Sequence, residues 1–262
     1  MLRYLLKRLL ALIPVLLGVA FLIFTMMYFT PGDPAAMVLG DQASEEQLNE
    51  WRAARDLDKP FLEQFGKYIW GIVSQGDFGI SYKTGKNVTS ALLERFPTTF
   101  VLAIATCVIA MVLGVLLGIL AANHQGTWID SVLRVFGMAG VSMPIFWLGL
   151  LMILWFAVDL KWFPVSGWYG PKYLVLPALT MGLTFTASLM RTTRSSMLDC
   201  IRQDYVITAR AKGQKERVIT YHHVFRNALI PIITAAGSAF GIALCGAVVT
   251  EQVFSIPGLG SL

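Results

Sequence analysis

The chain has 262 residues, of which 56% are apolar and only 14% are charged, and its formal net charge is +5. The apolar residues are gathered in long blocks, which is typical of a helical membrane protein and excludes a separate soluble domain.

The apolar blocks predict membrane-spanning helices. About 20 consecutive apolar residues are needed to cross a hydrocarbon core about 30 Å thick. Lipid offers no hydrogen-bond partners to the backbone, so each block should be a helix. Five blocks are long enough: Leu9–Phe29, Thr98–Ala122, Val132–Val158, Tyr173–Met190 and Ala228–Phe254. Pro144 should kink the third block, because proline removes an internal helical hydrogen bond. The sequence therefore predicts an all-α, polytopic membrane protein.

Lys and Arg predict the orientation, because cytoplasmic loops hold an excess of them. Basic residues precede the first block, and eight lie in residues 191–227. Residues 1–30 are thus a basic segment with a first span, 31–97 an extracytoplasmic region, and 98–262 a transmembrane domain with a cytoplasmic loop at 191–227. Five spans place the C-terminus outside, so we expect a sixth span to be missing from this chain.

The sequence lacks motifs for catalysis and metal binding. It contains no G-x-x-x-x-G-K-[ST], H-E-x-x-H or C-x-x-C, so no catalytic, cofactor-binding or metal-binding residues are predicted. The neighbours His222 and His223 point about 100° apart on a helix, which favours a surface or docking role over a shared metal. Few charges lie within the spans, which argues against an ion-coupled carrier. Glu251 ends the fifth span on the outer side, where either a hydrated interface or a transport role would explain it.

Glycines recur within the apolar blocks. Gly114 and Gly118 form a G-x-x-x-G in the second block, and later blocks contain Gly137, Gly140, Gly237, Gly241 and Gly246. Since glycine lets helix backbones touch, these positions predict close helix packing.

The basic segment at 191–227 predicts two short helices joined at Gly213, where a left-handed residue would end the first helix. Val206, Ala209 and Gly213 would share one face of the first helix. The apolar side of the second would comprise Val218, Ile219, His222 and Phe225. That surface would either lie on lipid headgroups or dock into a partner's groove. The residues alone do not choose between these.

At this segment the chain resembles a known family. Thr208-Ala-Arg-Ala-Lys-Gly213 and Arg226-Asn-Ala-Leu-Ile-Pro231 resemble the coupling loop of ABC-importer permeases of the dipeptide/oligopeptide/nickel group, the binding-protein-dependent inner-membrane components. Ile207 stands where the general importer pattern has Glu, and Pro231 lies further downstream, which is similar to the peptide subgroup. Residues 30–34, 76–81, 190–197 and 251–260 agree with the same group, so the resemblance covers essentially the whole chain.

The resemblance implies a type I permease fold with six spans, in the bacterial or archaeal cytoplasmic (inner) membrane, with the N-terminus cytoplasmic. The chain would be the permease subunit of an ATP-driven importer of di- or oligopeptides. Glutathione or nickel chelates are the alternative cargoes. A non-transport membrane protein whose basic loop binds lipid or a regulator is the alternative from a different class.

The same resemblance implies the partners. These are a second homologous permease, two ATP-binding cassette subunits, an extracytoplasmic substrate-binding protein and the lipid bilayer, with no nucleic acid. The chain itself would not be an enzyme and would bind no cofactor, because ATP and Mg would lie on the partner subunits.

The implied sites fall in three places. The ATPase-coupling residues are Tyr205, Thr208, Ala209, Arg210, Ala211, Lys212, Gly213, Glu216 and Arg217. Candidate residues lining the pathway are Ser142, Met143 and Thr184. Two helices of the outer loop, around Glu45–Ala54 and Pro60–Val73, would face the binding protein.

Overall fold

The computed structural model describes residues 2–40 and 42–262, and over that range it is helical, with a single isolated bridge between Ile80 and Asn87. The chain forms two compact units, Met1–Leu93 and Glu94–Leu262.

The first unit contains four helices: α1 (Leu2–Phe29), α2 (Pro34–Leu39), α3 (Glu45–Ala53) and α4 (Phe61–Gln75). The helices expected over 45–54 and 60–73 are confirmed as α3 and α4, whereas the short α2 was not predicted. A capping box at Ser44 starts α3. Edge-to-face contacts of Phe21 in α1 with Phe61 and Phe65 in α4 hold those two helices together.

The second unit is a bundle of long helices with short ones at its ends. Its elements are α5 (Val88–Asn123), α6 (Trp128–Ser142), α7 (Ile145–Met152) with a π-helical continuation (Ile153–Asp159), α8 (Pro171–Ile201), α9 (Asp204–Ala211), α10 (Glu216–Val218) with a π-helical continuation (Ile219–Val224), α11 (Phe225–Gly246), α12 (Val248–Val253) and a 3-10 turn (Leu259–Ser261).

The predicted spans correspond to helices of this structure. Among the described residues, four helices are long and apolar enough to cross a membrane, and a fifth span results if the bent pair α6 and α7 counts as one. Several boundaries were wrong. The first helix begins at Leu2 rather than Leu9, and the second begins at Val88 rather than Thr98. The fourth helix runs to Ile201 rather than Met190, so Arg191 and Arg194 lie on a helix instead of a loop. The fifth ends at Gly246, and α12 follows it.

The third span is broken rather than kinked. Its two halves, Trp128–Ser142 and Ile145–Asp159, meet at an angle of 103°. Met143 ends α6 in an extended conformation (φ −75°, ψ 126°), and Pro144 immediately precedes α7. Because a residue before proline is pushed out of the helical region, the break follows from the Met143-Pro144 pair.

Glycine brings α5 and α8 into direct contact. A Cβ on Gly118 would lie 2.5 Å from the Cβ of Thr193, and one on Gly114 would lie 2.7 Å from the Cβ of Leu189. The close packing predicted for these two glycines is therefore confirmed. Gly237 and Gly241 differ, because a Cβ there would meet no described atom within 4 Å.

The substitution Gly118→Ala tests this contact. The added methyl group cannot fit against Thr193 and Met190, so α5 and α8 must separate, and we expect a loss of about 1–3 kcal/mol in stability. Thermal unfolding of the purified protein in detergent measures it. The control Gly237→Ala should melt at or above the wild-type temperature, because alanine favours a helix where space is free. Equal melting temperatures for the two variants would contradict the packing.

Candidate functional site: the 204–224 segment

Residues 204–224 form a helix–turn–helix unit at one end of the bundle. Helix α9 stops at Ala211, and the chain reverses through Gly213, whose φ of +74° is left-handed. The turn is closed by a hydrogen bond from the Gln214 amide to the carbonyl of Ala209 (3.3 Å). The predicted role of Gly213 as the junction of two helices is confirmed, since few other residues adopt this conformation without strain.

An ion pair joins the two arms of this unit. The Arg210 guanidinium donates through two nitrogens to the Glu216 carboxylate, at 2.7 and 3.2 Å. This bonding raises the pKa of Arg210 above its ordinary value. Both side chains are largely exposed, so the pair adds little stability by itself. It does fix the angle between α9 and the next helix, and it occupies two residues that the family resemblance had assigned to contacts with the ATPase.

The inner face of the segment is buried against three long helices. Val206, Ile219 and Val224 are at most 1% exposed. They share one apolar cluster with the end of α5, the end of α8 and the start of α11; these neighbours are Ile119, Ala122, Met197, Leu198, Ala228 and Ile232. Each fully buried Val or Ile side chain contributes about 1.5–3 kcal/mol. The segment is therefore held to the bundle and should move with it as one body.

The predicted apolar face of the second helix was only partly right. Ile219 is buried, but Val218 is 45% exposed and His222 is exposed. The second buried position is Val224, five residues after Ile219. Residues Ile219–Val224 are π-helical, and a π-helix bonds i to i+5, so it rotates the buried face away from the 3.6-residue register.

The outer face of the segment is apolar and basic. Four large side chains are exposed there: Tyr205 (39%), Ile207 (59%), Val218 (45%) and Tyr221 (53%). Partial burial raises the pKa of the Tyr205 phenol above its ordinary value. Among the coupling residues implied by the resemblance, Ala209 is buried in the inner face. The other eight are exposed: Tyr205, Thr208, Arg210, Ala211, Lys212, Gly213, Glu216 and Arg217. The segment thus has one face committed to its own bundle and another facing outward.

The candidate pathway residues lie on two parts of the chain, the α6–α7 break and α8. Ser142 and Met143 lie at the break between α6 and α7, and Met143 borders an apolar cavity of about 210 Å³. Thr184 lies on α8 outside that lining, and its hydroxyl donates to the carbonyl of Thr180 (3.3 Å). Their role in a pathway stays a prediction.

A buried ion pair between α6 and α8 was missed. Asp130 is 1% exposed, and Arg194 donates to its two carboxylate oxygens at 2.7 and 2.8 Å. The amide of Gly126 donates to the same carboxylate (3.1 Å). The sequence shows an acid two residues before the third block and an arginine four residues after the fourth. Nothing in their spacing of 64 residues indicates that they meet.

Glu251 is buried, so the first of the two explanations left open for it, a hydrated interface position, was wrong. Its side chain is 0% exposed. It accepts hydrogen bonds from the Thr99 hydroxyl (2.6 Å) and from the amides of Gly260 (2.7 Å) and Ser261 (3.1 Å). The chain after α12 folds back over the carboxylate, and Leu259 donates its amide to Thr99 (2.8 Å). One carboxylate therefore organises residues 251–261.

The substitution Glu251→Gln tests that arrangement. Glutamine keeps one acceptor oxygen for the amides of Gly260 and Ser261, but it loses the negative charge that strengthens these bonds and puts an NH2 where the Thr99 hydroxyl now donates, which costs about 1–3 kcal/mol. We expect a lower melting temperature in detergent and faster proteolysis within residues 255–262. The control Glu94→Gln removes the same charge from an exposed position and should change neither. An unchanged Glu251→Gln variant would show that the bonds to Gly260 and Ser261 do not hold the turn.

Comparison with known proteins agrees with the residue patterns. The family described as "Binding-protein-dependent transport system inner membrane component" matches residues 114–262, and its N-terminal counterpart matches residues 1–103.

Individual relatives match over the whole chain. It is 40% identical over 262 residues to the "Glutathione transport system permease protein GsiC" of Escherichia coli (strain K12), and 41% identical to the protein of the same description from Salmonella choleraesuis (strain SC-B67). Each match covers 100% of this chain and 85% of the relative. A solved structure titled "Crystal structure of an amino acid ABC transporter with histidines" is 17% identical, with a TM-score of 0.49 over 66% of this chain and 76% of that one. The chain belongs to the family of binding-protein-dependent ABC-importer permeases, as a multi-pass subunit of the inner membrane.

Proposed function

We propose that this permease subunit imports small peptides, and that the outer face of the 204–224 segment docks into a separate ATPase subunit. The observation that carries the proposal is the two-sided construction of this segment. Its inner face is packed on the ends of α5, α8 and α11, and its outer face exposes Ile207, Val218 and Tyr221. An apolar, partly aromatic face rimmed by basic residues suits a helix-in-groove interface.

The cargo is proposed from the family and its relatives. Relatives at about 40% identity are described as glutathione permeases, and glutathione is itself a small peptide. It is therefore the first cargo to test, ahead of other di- or oligopeptides and of nickel chelates. Delivery by an extracytoplasmic binding protein and pairing with a second, homologous permease complete the proposed assembly.

The proposed orientation places the N-terminus and the 204–224 segment in the cytoplasm. Arg3, Lys7 and Arg8 lie in the first turns of α1, and the segment together with the end of α8 holds the densest group of basic residues. Both features favour the cytoplasmic side. This orientation puts the outer face of the segment where a cytoplasmic ATPase can reach it.

The mechanism follows from the rigidity of the segment. When ATP binding closes two ATPase subunits on each other, the 204–224 segment docked in one of their grooves is displaced. The buried cluster passes that displacement to α5, α8 and α11 together, because packed interfaces move as units. ATP can shift the permease between its two states only if the closed ATPase binds one of them more tightly. In this mechanism, Arg210 and Glu216 keep the angle of the segment constant, while Lys212 and Arg217 contact the partner.

The double substitution Ile207→Ala with Tyr221→Ala tests the docking face. Truncating two exposed contact residues should weaken ATPase binding at least about tenfold while leaving the inner cluster intact. Co-purification of the ATPase and glutathione uptake into proteoliposomes measure the effect. The control Val158→Ala with Leu160→Ala removes exposed apolar groups near the end of the α7 helix and should bind and transport normally. Normal uptake by the double variant would contradict the docking role.

A charge swap distinguishes two roles of the Arg210–Glu216 pair: setting the angle of the segment, or contacting the ATPase directly. Arg210→Glu alone breaks the pair with Glu216, whereas Arg210→Glu with Glu216→Arg restores it in reverse. If the pair sets the angle, the single variant loses coupling between ATP hydrolysis and uptake, and the swapped variant regains much of it. If both groups instead contact the ATPase directly, the swap is as defective as the single change.

A further inference from the structure

A cavity of about 550 Å³ opens between α5, α6 and α8. It is bordered by Ser131 and Arg134 in the first turns of α6 and by Arg191, Arg194 and Ser195 in the last turns of α8. Since α8 leads directly into α9, this is the end of the bundle that carries the 204–224 segment. The volume lies within the usual range for sites that bind small organic ligands.

The rim of this cavity has an excess of positive charge. Three guanidiniums border it, those of Arg134, Arg191 and Arg194, and the Asp130 carboxylate lies behind this lining, within 4 Å of two of them. The carboxylate is already committed, because Arg194 binds both of its oxygens and Gly126 donates to it as well. The three guanidiniums and the one carboxylate leave a net charge of +2 at the rim, and only Arg194 is hydrogen-bonded to the carboxylate.

The two remaining arginines are available to a ligand. The Nε of Arg134 lies 3.6 Å from the Asp130 carboxylate, too long for a hydrogen bond, and its side chain is 52% exposed. Its other contact is a donation to the Ser131 hydroxyl at 3.3 Å. Arg191 is exposed and has no carboxylate within 4 Å among the described residues. Guanidiniums present a planar fork that matches the oxygens of a phosphate.

Below the arginines the cavity is aliphatic. Val135, Met138, Ala187 and Met190 line it, and they offer no hydrogen bonds to a polar ligand. A free phosphate would use only the rim, and a peptide such as glutathione would leave its amides unpaired against these side chains. The lining suits an anion that carries a hydrocarbon chain.

The apolar surface continues from the cavity along α6. Val132, Val135 and Met138 recur every three residues and are 56%, 62% and 59% exposed. This stripe provides a track for acyl chains leading away from the basic rim. A headgroup at the end of a spanning helix with its chains along the helix is the arrangement that a bilayer imposes.

We propose that this cavity is a binding site for the phosphate headgroup of an anionic phospholipid, held by Arg134 and Arg191 with its acyl chains on α6. Arg194 is a positioning residue, because its pair with Asp130 fixes the facing turns of α6 and α8. The site does not depend on the identity of the cargo or on the docking of an ATPase.

Native mass spectrometry of the purified importer, titrated with phosphatidylglycerol or phosphatidylcholine in detergent, tests the site. We expect a preference for phosphatidylglycerol, and Arg134→Gln with Arg191→Gln should weaken its binding at least about tenfold, since each basic residue near a headgroup contributes measurably. The control Lys161→Gln with Lys172→Gln removes two exposed charges near the other end of the bundle and should bind like wild type. Arg191→Gln alone, a change on the exposed helix surface, gives the same readout if the double variant does not fold.

Three results would overturn the proposal. Equal retention of phosphatidylcholine and phosphatidylglycerol would remove the anionic preference. Undiminished phosphatidylglycerol binding by the arginine variants would place the lipid elsewhere. Displacement of the lipid by millimolar inorganic phosphate or glutathione would make the cavity a site for a soluble anion.

Discussion

The structure depends on the apolar cluster that ties residues 204–224 to the ends of three long helices. Val206, Ile219 and Val224 have almost no exposed surface, and their neighbours belong to α5, α8 and α11. The contact of α5 with α8 through Gly114 and Gly118 extends the same constraint along the bundle. A segment held in this way cannot tilt without moving the helices, which is the property that a mechanical link between an ATPase and a membrane domain requires.

Two buried carboxylates stabilise opposite ends of this second unit. Asp130 fixes α6 to α8 beside the 204–224 segment. Glu251 binds the amides of Gly260 and Ser261 at the other end, near the start of α5 and the end of α11. Burial of a carboxylate is costly unless its oxygens are bonded. Each of these makes three hydrogen bonds, so each specifies one local arrangement. Arg134 and Arg191 near Asp130 differ from these carboxylates, because neither forms a hydrogen bond to an acidic group among the described residues. Their free donors are the reason for proposing a ligand there.

The sequence predicted the helices better than their contacts. Apolar runs locate the spans, because length and hydropathy are local properties. The glycine repeat located the contact of α5 with α8, and Gly213 located the turn. The break after Ser142 was foreseen only as a kink, since the 103° angle depends on what packs around it. The buried face of the second short helix was misjudged, because a 3.6-residue period does not describe the π-helical turn from Ile219 to Val224. The side chains that bind Asp130 and Glu251, those of Arg194 and Thr99, lie 64 and 152 residues away in the chain, and no local pattern reports such pairings.

Photo-crosslinking from a benzophenone amino acid placed at Tyr221 in the intact importer tests the central claim most directly. Tyr221 is exposed on the outer face of the segment. If the segment docks into the ATPase subunit, the probe should form a covalent adduct with that subunit, and ATP should change the yield of the adduct. The same probe at Leu160, which is also exposed, should form none. Adducts to lipid alone from Tyr221 would contradict the claim that the 204–224 segment couples this permease to ATP hydrolysis.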